Sequence, residues 1–267
     1  MSKKIIVCYL VTKFDESDSF DKFFRYYKNN LAGVSHQLLI CYKLMDENKI
    51  KILEKKINNI KHIKFVDHCK KNDFDFGSYY RVCKKFPKQI FFFLTGSDFP
   101  VKKYWLKNVT KHYSKNSLIG TSASYESQLS SLRLKKFYKY IEYLIKFFTL
   151  KRNFSVFPNP HIRTVGFLIS AENYLEFYSN KSCSTKFDAW KIESGKKSLT
   201  NFFILKKQKI YLVNSDGFKF KINQWYSSKT FNYLKQDKFI ISDKHIRKYL
   251  KLSRKEQKKS QLLSWGI

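Results

Sequence analysis

Four short apolar runs, at residues 5–11, 36–44, 63–66 and 90–94, alternate with segments whose apolar residues recur at helical spacing. Each run is continuous rather than alternating, which is the pattern of a strand covered on both faces. Between the first two, Phe20, Phe23, Phe24, Tyr27 and Leu31 share one face of a helix that Ser17 or Asp18 can cap and Gly33 can end. Between the second and third, Ile50, Leu53, Ile57 and Ile60 repeat the pattern. Crossovers between parallel strands need a helix-length connection, so this βαβαβ order specifies an α/β fold with a mainly parallel central sheet flanked by helices.

Residues 72–77 then read as a loop and 78–86 as a short helix ended by Pro87. The run Ile-Phe-Phe-Phe-Leu at 90–94 is the most hydrophobic strand and is expected at the centre of the sheet. It leads into Thr95-Gly96-Ser97-Asp98-Phe99-Pro100, and ligands of open α/β sheets sit at the carboxyl ends of such strands. The second half is less regular. Its pattern predicts helices over 102–113, 132–150, 171–178 and 198–207, strands over 117–122, 163–169 and 210–213, and a Lys-rich terminal helix from Lys244 with weak tertiary demand. With 4 Pro and 8 Gly among 267 residues no linker stands out, and the chain reads as one domain, residues 1–243, followed by a helical C-terminal tail, 244–267.

A net charge of +32 suggests a polyanionic partner, but 46 of the 53 cations are Lys and only seven are Arg, whereas phosphate and base readers favour the bidentate Arg fork. Lys, Asn, Ile, Phe and Tyr, whose codons are richest in A and T, dominate the chain, so a solvated Lys surface accounts for much of the charge. No nucleic-acid partner is expected. The 5 cysteines form no C-x-x-C and read as reduced, buried thiols. Lys3 and Lys4 precede an apolar run too short for a signal peptide, no stretch is long enough to span a membrane, and a cytoplasmic location follows as the expectation.

Four constellations bear on chemistry. Asp73-Phe74-Asp75-Phe76-Gly77-Ser78 and the Asp98 turn place carboxylates at neighbouring strand ends, suited to a divalent cation and a nucleotide diphosphate; Asp75 and Ser78 equally suit helix capping. His161-Ile162-Arg163-Thr164 opens an apolar strand with a guanidinium that can reach a diphosphate or pair with a nearby carboxylate. Asp188, Trp190 and Glu193 lie just before a Gly-containing turn, combining a general base with a stacking platform for a sugar ring; Glu193 as a solvated loop residue and Ser198 as a helix cap are the plainer alternatives. Finally, Leu134, Phe137, Tyr138, Ile141, Leu144, Ile145 and Phe148 oppose Lys135, Lys136, Lys139, Glu142 and Lys146, the pattern of a helix on an anionic membrane surface or of an ordinary core helix.

The order of these elements resembles a GT-A glycosyltransferase. FDFGSYYRVCKK and FFFLTGSDFP resemble the "DFGS/W … NDS" stretch of rhamnan-synthesis-type bacterial surface-polysaccharide glycosyltransferases, and ESGKKSLT with KIYLVNSDG resembles their acceptor-side Glu/Asp region. The resemblance implies donor contacts from Thr12, Asp75, Gly77, Ser78, Thr95, Gly96, Ser97 and Asp98. It implies acceptor or diphosphate contacts from His161, Arg163 and Trp190, and a catalytic base at Glu193 with Asp188 next in line. The usual Asp-x-Asp is reduced to Asp98, with Gly96 in the place of the first carboxylate, so Asp98 alone remains as a ligand for the Mn²⁺ or Mg²⁺ that such enzymes use. The expected activity is inverting transfer from a nucleotide-sugar donor to a hydroxyl of a glycan or lipid-linked glycan in surface polysaccharide synthesis, with peripheral association at the inner, anionic membrane face. A basic nucleic-acid-binding protein and a catalytically inactive GT-A relative that only binds the donor are the competing classes.

Overall fold

In the computed structural model, residues 4–134 and 136–267 are described. The strands are β1 (Ile5–Thr12), β2 (Gln37–Lys43), β3 (Ile63–Asp67), β4 (Ile90–Leu94), β5 (Phe99–Pro100), β6 (Ser117–Gly120), β7 (Ala123–Ser124), β8 (His161–Ile162), β9 (Phe167–Ser170), β10 (Lys209–Val213), β11 (Lys219–Phe220) and β12 (Ile241–Ser242). The α-helices are α1 (Ser19–Asn29), α2 (Glu47–Lys56), α3 (Phe74–Lys85), α4 (Trp105–Thr110), α5 (Tyr140–Asn153), α6 (Ala171–Tyr178), α7 (Lys186–Ser194), α8 (Leu199–Leu205), α9 (Lys244–Leu250) and α10 (Arg254–Trp265).

Eight strands form the main sheet in the order β11-β10-β6-β9-β4-β1-β2-β3. β1 pairs in parallel with both β2 and β4, β2 with β3, and β6 with β10, while β9 runs antiparallel between β4 and β6. Period-2 alternation divides each central strand between two cores. Ile6, Cys8 and Leu10 of β1 join Phe91 and Phe93 of β4 on one face, and Val7, Tyr9 and Val11 join Phe92 and Leu94 on the other. All five residues of β4 are buried, as expected for a strand inside the sheet. All five cysteines are free, and four are buried.

Several boundaries differ from the sequence pattern for local reasons. The loop expected through residue 77 ends earlier, because the Asn72 side chain accepts the amide of Phe74, which takes the left-handed conformation, φ 55°, and α3 starts there. Asp75 and Gly77 therefore lie in a helical turn. The strand expected over 163–169 is interrupted: Gly166 adopts φ +60°, which leaves β8 and β9 as separate pieces with Arg163 and Thr164 at the kink. The helix expected over 132–150 begins later, after a 3₁₀ turn at Phe137–Lys139, because residues 127–131 close a turn in which Ser127 Oγ accepts the amide of Ser130. Lys3 and Lys135 lie outside the described residues.

The C-terminal tail is packed rather than loosely attached. Ile246 and Trp265 are buried in the same core as β1 and β4, Trp265 meets Tyr125 edge-on at 5.0 Å, and its indole N–H donates to the Phe231 carbonyl at 2.8 Å. β12 pairs antiparallel with β5, which carries the tail across the mouth of the turn after β4. Trp265→Ala is expected to lower the unfolding free energy by about 3–5 kcal/mol, the range for deleting a buried aromatic ring. Urea denaturation reads this directly, and a loss below about 1 kcal/mol would make the tail peripheral to folding.

Candidate active site

The sheet changes direction at β1. The chain steps outward from β1 to β2 and β3, then returns to the opposite side of β1 as β4. The crevice at the carboxyl ends of β1 and β4 is the topological switch point, where open α/β sheets bind ligands. A cleft of about 520 Å³ opens there. Its wall is built by Phe14 to Glu16 after β1, Asp75 at the start of α3, Thr95, Ser97 and Asp98 after β4, His161 of β8, Arg163 to Val165 after it, Trp190 and Glu193 of α7, and Asp243 to His245 at the start of α9.

The turn after β4 is held from several directions. Asp98 is fully buried; its carboxylate accepts the Thr95 amide at 2.7 Å and lies 3.3 Å from the Ser97 hydroxyl. Tyr9 of β1 donates its hydroxyl to the Gly96 carbonyl at 2.9 Å, and Arg247 of α9 donates to the Ser97 carbonyl at 3.1 Å. A Cβ at Gly96 would overlap the Asp15 carboxylate, so a side chain there would push Asp15 aside. Asp15 in turn accepts the Thr12 amide at 2.6 Å, so Thr12 and Gly96 shape the two loops that meet.

Asp75 is placed by a charged clamp beneath it. Arg81 binds both Asp67 and Asp73, Lys43 at the end of β2 pairs with Asp73 at 2.6 Å, and the Ser78 hydroxyl donates to Asp67 at 2.6 Å. Ser78 thus serves the clamp rather than facing the cleft. A Cβ at Gly77 would take the space the Asp73 carboxylate occupies, so a side chain there would push Asp73 off Lys43 and Arg81. The clamp ties the start of α3 to the ends of β2 and β3, and Asp75 projects past it into the cleft.

On the opposite wall, Glu193 accepts the amide of Thr164 at 3.1 Å. The end of α7 that carries it is fixed by Asn159, whose side-chain amide donates to the Ser194 carbonyl at 2.8 Å. His161 is buried and its Nδ1 donates to the Asn159 carbonyl at 2.9 Å, which leaves Nε2 as an acceptor. Arg163 is internally paired: it meets Asp243 at 2.8 Å, donates to Ser122 at 3.0 Å and stacks 4.0 Å from the Phe231 ring centroid. Asp188 lies outside the cleft. It closes a capping box with Thr185 at the start of α7 and pairs with Lys191 at 2.8 Å. Ser198 caps α8 by accepting the Asn201 amide.

The cleft is an acidic island in a basic protein. Burial, and then the neighbouring Asp243, push the Asp98 carboxyl up to about 7. Burial, and then Glu193, push Asp75 up to about 6. Burial also raises Asp15 and Glu126 and lowers His161. Desolvation against the cleft wall, and then Arg163, lower His245. Asp243 runs the other way: burial works to raise it, but the Arg163 guanidinium holds it below the ordinary carboxylate range.

These donors do not fit a divalent cation held by the protein. Among the described residues no group of three or more His, Cys, Asp or Glu side chains converges on one point, Asp243 is committed to Arg163, and Asp98 is wholly buried in its own turn. Of the candidates read from the sequence, Asp75, Thr95, Ser97, Asp98, His161, Arg163, Trp190 and Glu193 meet in the cleft, while Thr12, Gly77, Ser78 and Gly96 support its wall. Sequence reasoning missed Asp15, Glu126, Asp243, Lys244 and His245. The signals available were slight: Asp15 ends the first strand loop, and Ser-Asp-Lys-His at 242–245 is a helix-cap pattern.

No protein-family model and no curated protein sequence matches this chain. Among solved structures, HddC from Yersinia pseudotuberculosis aligns at 10% identity over 74% of this chain and 96% of its own, with TM-score 0.41. S. aureus TarS, residues 1–349, aligns at 10% identity over 97% of this chain and 70% of its own, with TM-score 0.42. Mouse xyloside xylosyltransferase 1 aligns at 8% identity over 79% of this chain and 85% of its own, with TM-score 0.40. Likenesses this distant assign no activity.

Asp98 gives a direct test of the electrostatics. A raised carboxyl keeps its proton in the folded protein where the unfolded chain has released it, so this group erodes stability as pH rises from about 4 to about 7. Asn carries no such charge. The melting temperature of Asp98→Asn relative to the native protein is expected to be lowest near pH 4 and to climb to its maximum above pH 7. A difference that stays constant with pH would place Asp98 in an ordinary solvated setting.

Proposed function

We propose that the cleft binds a nucleotide-sugar donor and transfers the sugar to an acceptor hydroxyl, as in a GT-A-like glycosyltransferase acting on a glycan or lipid-linked glycan. The observation that carries this reading is the meeting of Glu193, Asp75 and Asp98 with Lys244 and Arg163 around one crevice at the switch point of the sheet. No part of the reading depends on a resident metal.

The chemistry is a single displacement with inversion. Glu193, held by the Thr164 amide, accepts the acceptor hydroxyl proton as the acceptor oxygen bonds to the anomeric carbon. The bond from that carbon to the diphosphate oxygen breaks, and the electron pair leaves with the nucleoside diphosphate. Lys244, which forms no ion pair among the described residues, supplies a cation beside this leaving group, and Arg163 adds a fixed positive field through its paired guanidinium. Trp190, half-exposed on α7, offers a ring face to the acceptor sugar.

Because Asp75 and Asp98 titrate near neutrality, an arriving diphosphate raises both carboxyls further and the complex binds protons that the free protein lacks. Donor affinity is therefore expected to fall as pH rises through the range from about 6 to about 7, with calorimetry in two buffers showing proton uptake. Affinity that strengthens with pH would contradict it.

Glu193→Gln is expected to keep the fold and donor binding while lowering turnover by roughly 10²–10⁴, the contribution of a positioned general base. Asp188→Asn is expected to cost about 1 kcal/mol of stability at most, through the lost Lys191 ion pair and a weakened capping box, with turnover unchanged. A nucleotide-sugar panel provides the assay, scored by nucleoside diphosphate release and thermal shift. The reading fails if no donor gives release above background and no nucleotide shifts the melting temperature.

A further inference from the structure

The helix α5 leaves its apolar residues outside the fold. Of its residues only Leu150 is buried. Ile141, Ile145 and Phe148 follow the i, i+4, i+7 spacing of one helix face and are 73%, 64% and 62% exposed. The turn that leads into them adds Phe137 at 87% and Tyr138 at 75%. Scattered exposed apolar residues are ordinary, but five large ones on one turn and one helix face form a contiguous surface that water does not favour.

The charge around this surface selects its partner. Segment 133–153 carries seven cations, and its one carboxylate, Glu142, lies 3.4 Å from Lys139. Arg133, Lys136, Lys139, Lys146, Lys151 and Arg152 are all exposed. A second copy of the chain docked through the same face would bring two such cationic sets together, which works against self-association. An anionic bilayer instead accepts both features: the apolar side chains enter the boundary between headgroups and acyl chains, and the cations meet lipid phosphates.

We infer that the exposed face of α5 and its preceding turn dock this protein on an anionic membrane surface. The surface is continuous with the cleft. Ile145 also borders an apolar groove of about 640 Å³ between α5 and α7, and Trp190 and Gln128 line both that groove and the cleft. Docking through α5 thus sets the groove beside the lipid and gives an amphiphilic acceptor a path to Trp190. The docking itself stands on the surface and does not depend on the reaction in the cleft.

Co-sedimentation of the full chain with vesicles of phosphatidylcholine alone, or mixed with phosphatidylglycerol, tests the inference without measuring turnover. Binding is expected to favour the phosphatidylglycerol vesicles and to fall at high salt, since each surface cation near anionic lipid contributes a factor of roughly five. The double substitution Ile141→Glu with Ile145→Glu removes two anchors and adds two repelled charges, with an expected loss of about a hundredfold at unchanged melting temperature. Lys139→Glu with Lys146→Glu, which leaves the apolar stripe intact, is expected to weaken binding to the anionic vesicles alone. The inference is overturned by any of three results: no preference for anionic vesicles, undiminished binding of both double variants, or a native dimer that the Ile141→Glu/Ile145→Glu variant dissolves. Vesicle binding without any nucleotide effect would count against the proposed reaction and leave the docking surface standing.

Discussion

Everything near the cleft follows from one pairing constraint: β1 hydrogen-bonds in parallel to β2 on one side and to β4 on the other. A strand flanked this way is buried on both faces, which explains the unbroken Ile-Ile-Val-Cys-Tyr-Leu-Val-Thr run and its division between two cores. Because the connections leave β1 and β4 toward opposite halves of the sheet, the loops after them diverge and leave a crevice. Tyr9 spans the gap, stacked on Phe23 at 3.7 Å at its ring and bonded to the Gly96 carbonyl at its hydroxyl. A single side chain of β1 thereby connects core packing to the position of the Thr95–Asp98 turn.

The antiparallel strand β9 turns this half-site into a full one. By inserting between β4 and β6 it brings the preceding kink, with Arg163 and Thr164, to the same end of the sheet as the acidic turn. Thr164 then fixes Glu193 from α7, and Arg163 reaches Asp243 from the C-terminal segment. Asp75, Asp98, Glu193 and Asp243, spread across the sequence, therefore line one cleft. Burial is the main cause of the raised Asp75 and Asp98 carboxyls, and repulsion from Glu193 and Asp243 adds to it, both favouring the protonated forms.

The first four strands and the helices between them were legible because each carries its own periodicity and needs no distant partner to explain it. Ala171–Tyr178 was legible to the residue, while its cap, Ser170, emerged only in the structure. What periodicity could not reveal were effects of tertiary contact. The early start of α3 depends on Asn72 and a left-handed Phe74, and the split of the late strand depends on Gly166. The tail reads as a solvated Lys-rich helix because only Ile246, Tyr249 and Trp265 among its apolar residues mark the buried side, too few to stand out from the charge. Asp243, Lys244 and His245 were hidden for the same reason: their place in the cleft is created by the β12–β5 pairing, which two residues of antiparallel ladder do not announce in a sequence.

The Arg163–Asp243 pair shows how the tail and the cleft depend on each other. Asp243 caps α9 through the Ile246 amide at 2.6 Å with one carboxylate oxygen and meets Arg163 with the other, both side chains being almost fully buried. Removing either partner strands the other charge away from water, a cost of about 3–5 kcal/mol in comparable buried pairs. Replacing both by apolar residues would restore much of that stability yet leave the cleft without its fixed positive field, so the pair is better understood as an electrostatic support than as a source of stability. Its guanidinium sits 4.0 Å from the Phe231 ring centroid, and the Phe231 carbonyl receives the Trp265 indole N–H; α10 also reaches the cleft lining through the Ser264 carbonyl, which accepts the Ser124 hydroxyl. The start of α9 thus supplies Lys244 and His245 to the cleft wall, and Lys244 works against the burial that raises the Asp15 carboxyl after the first strand.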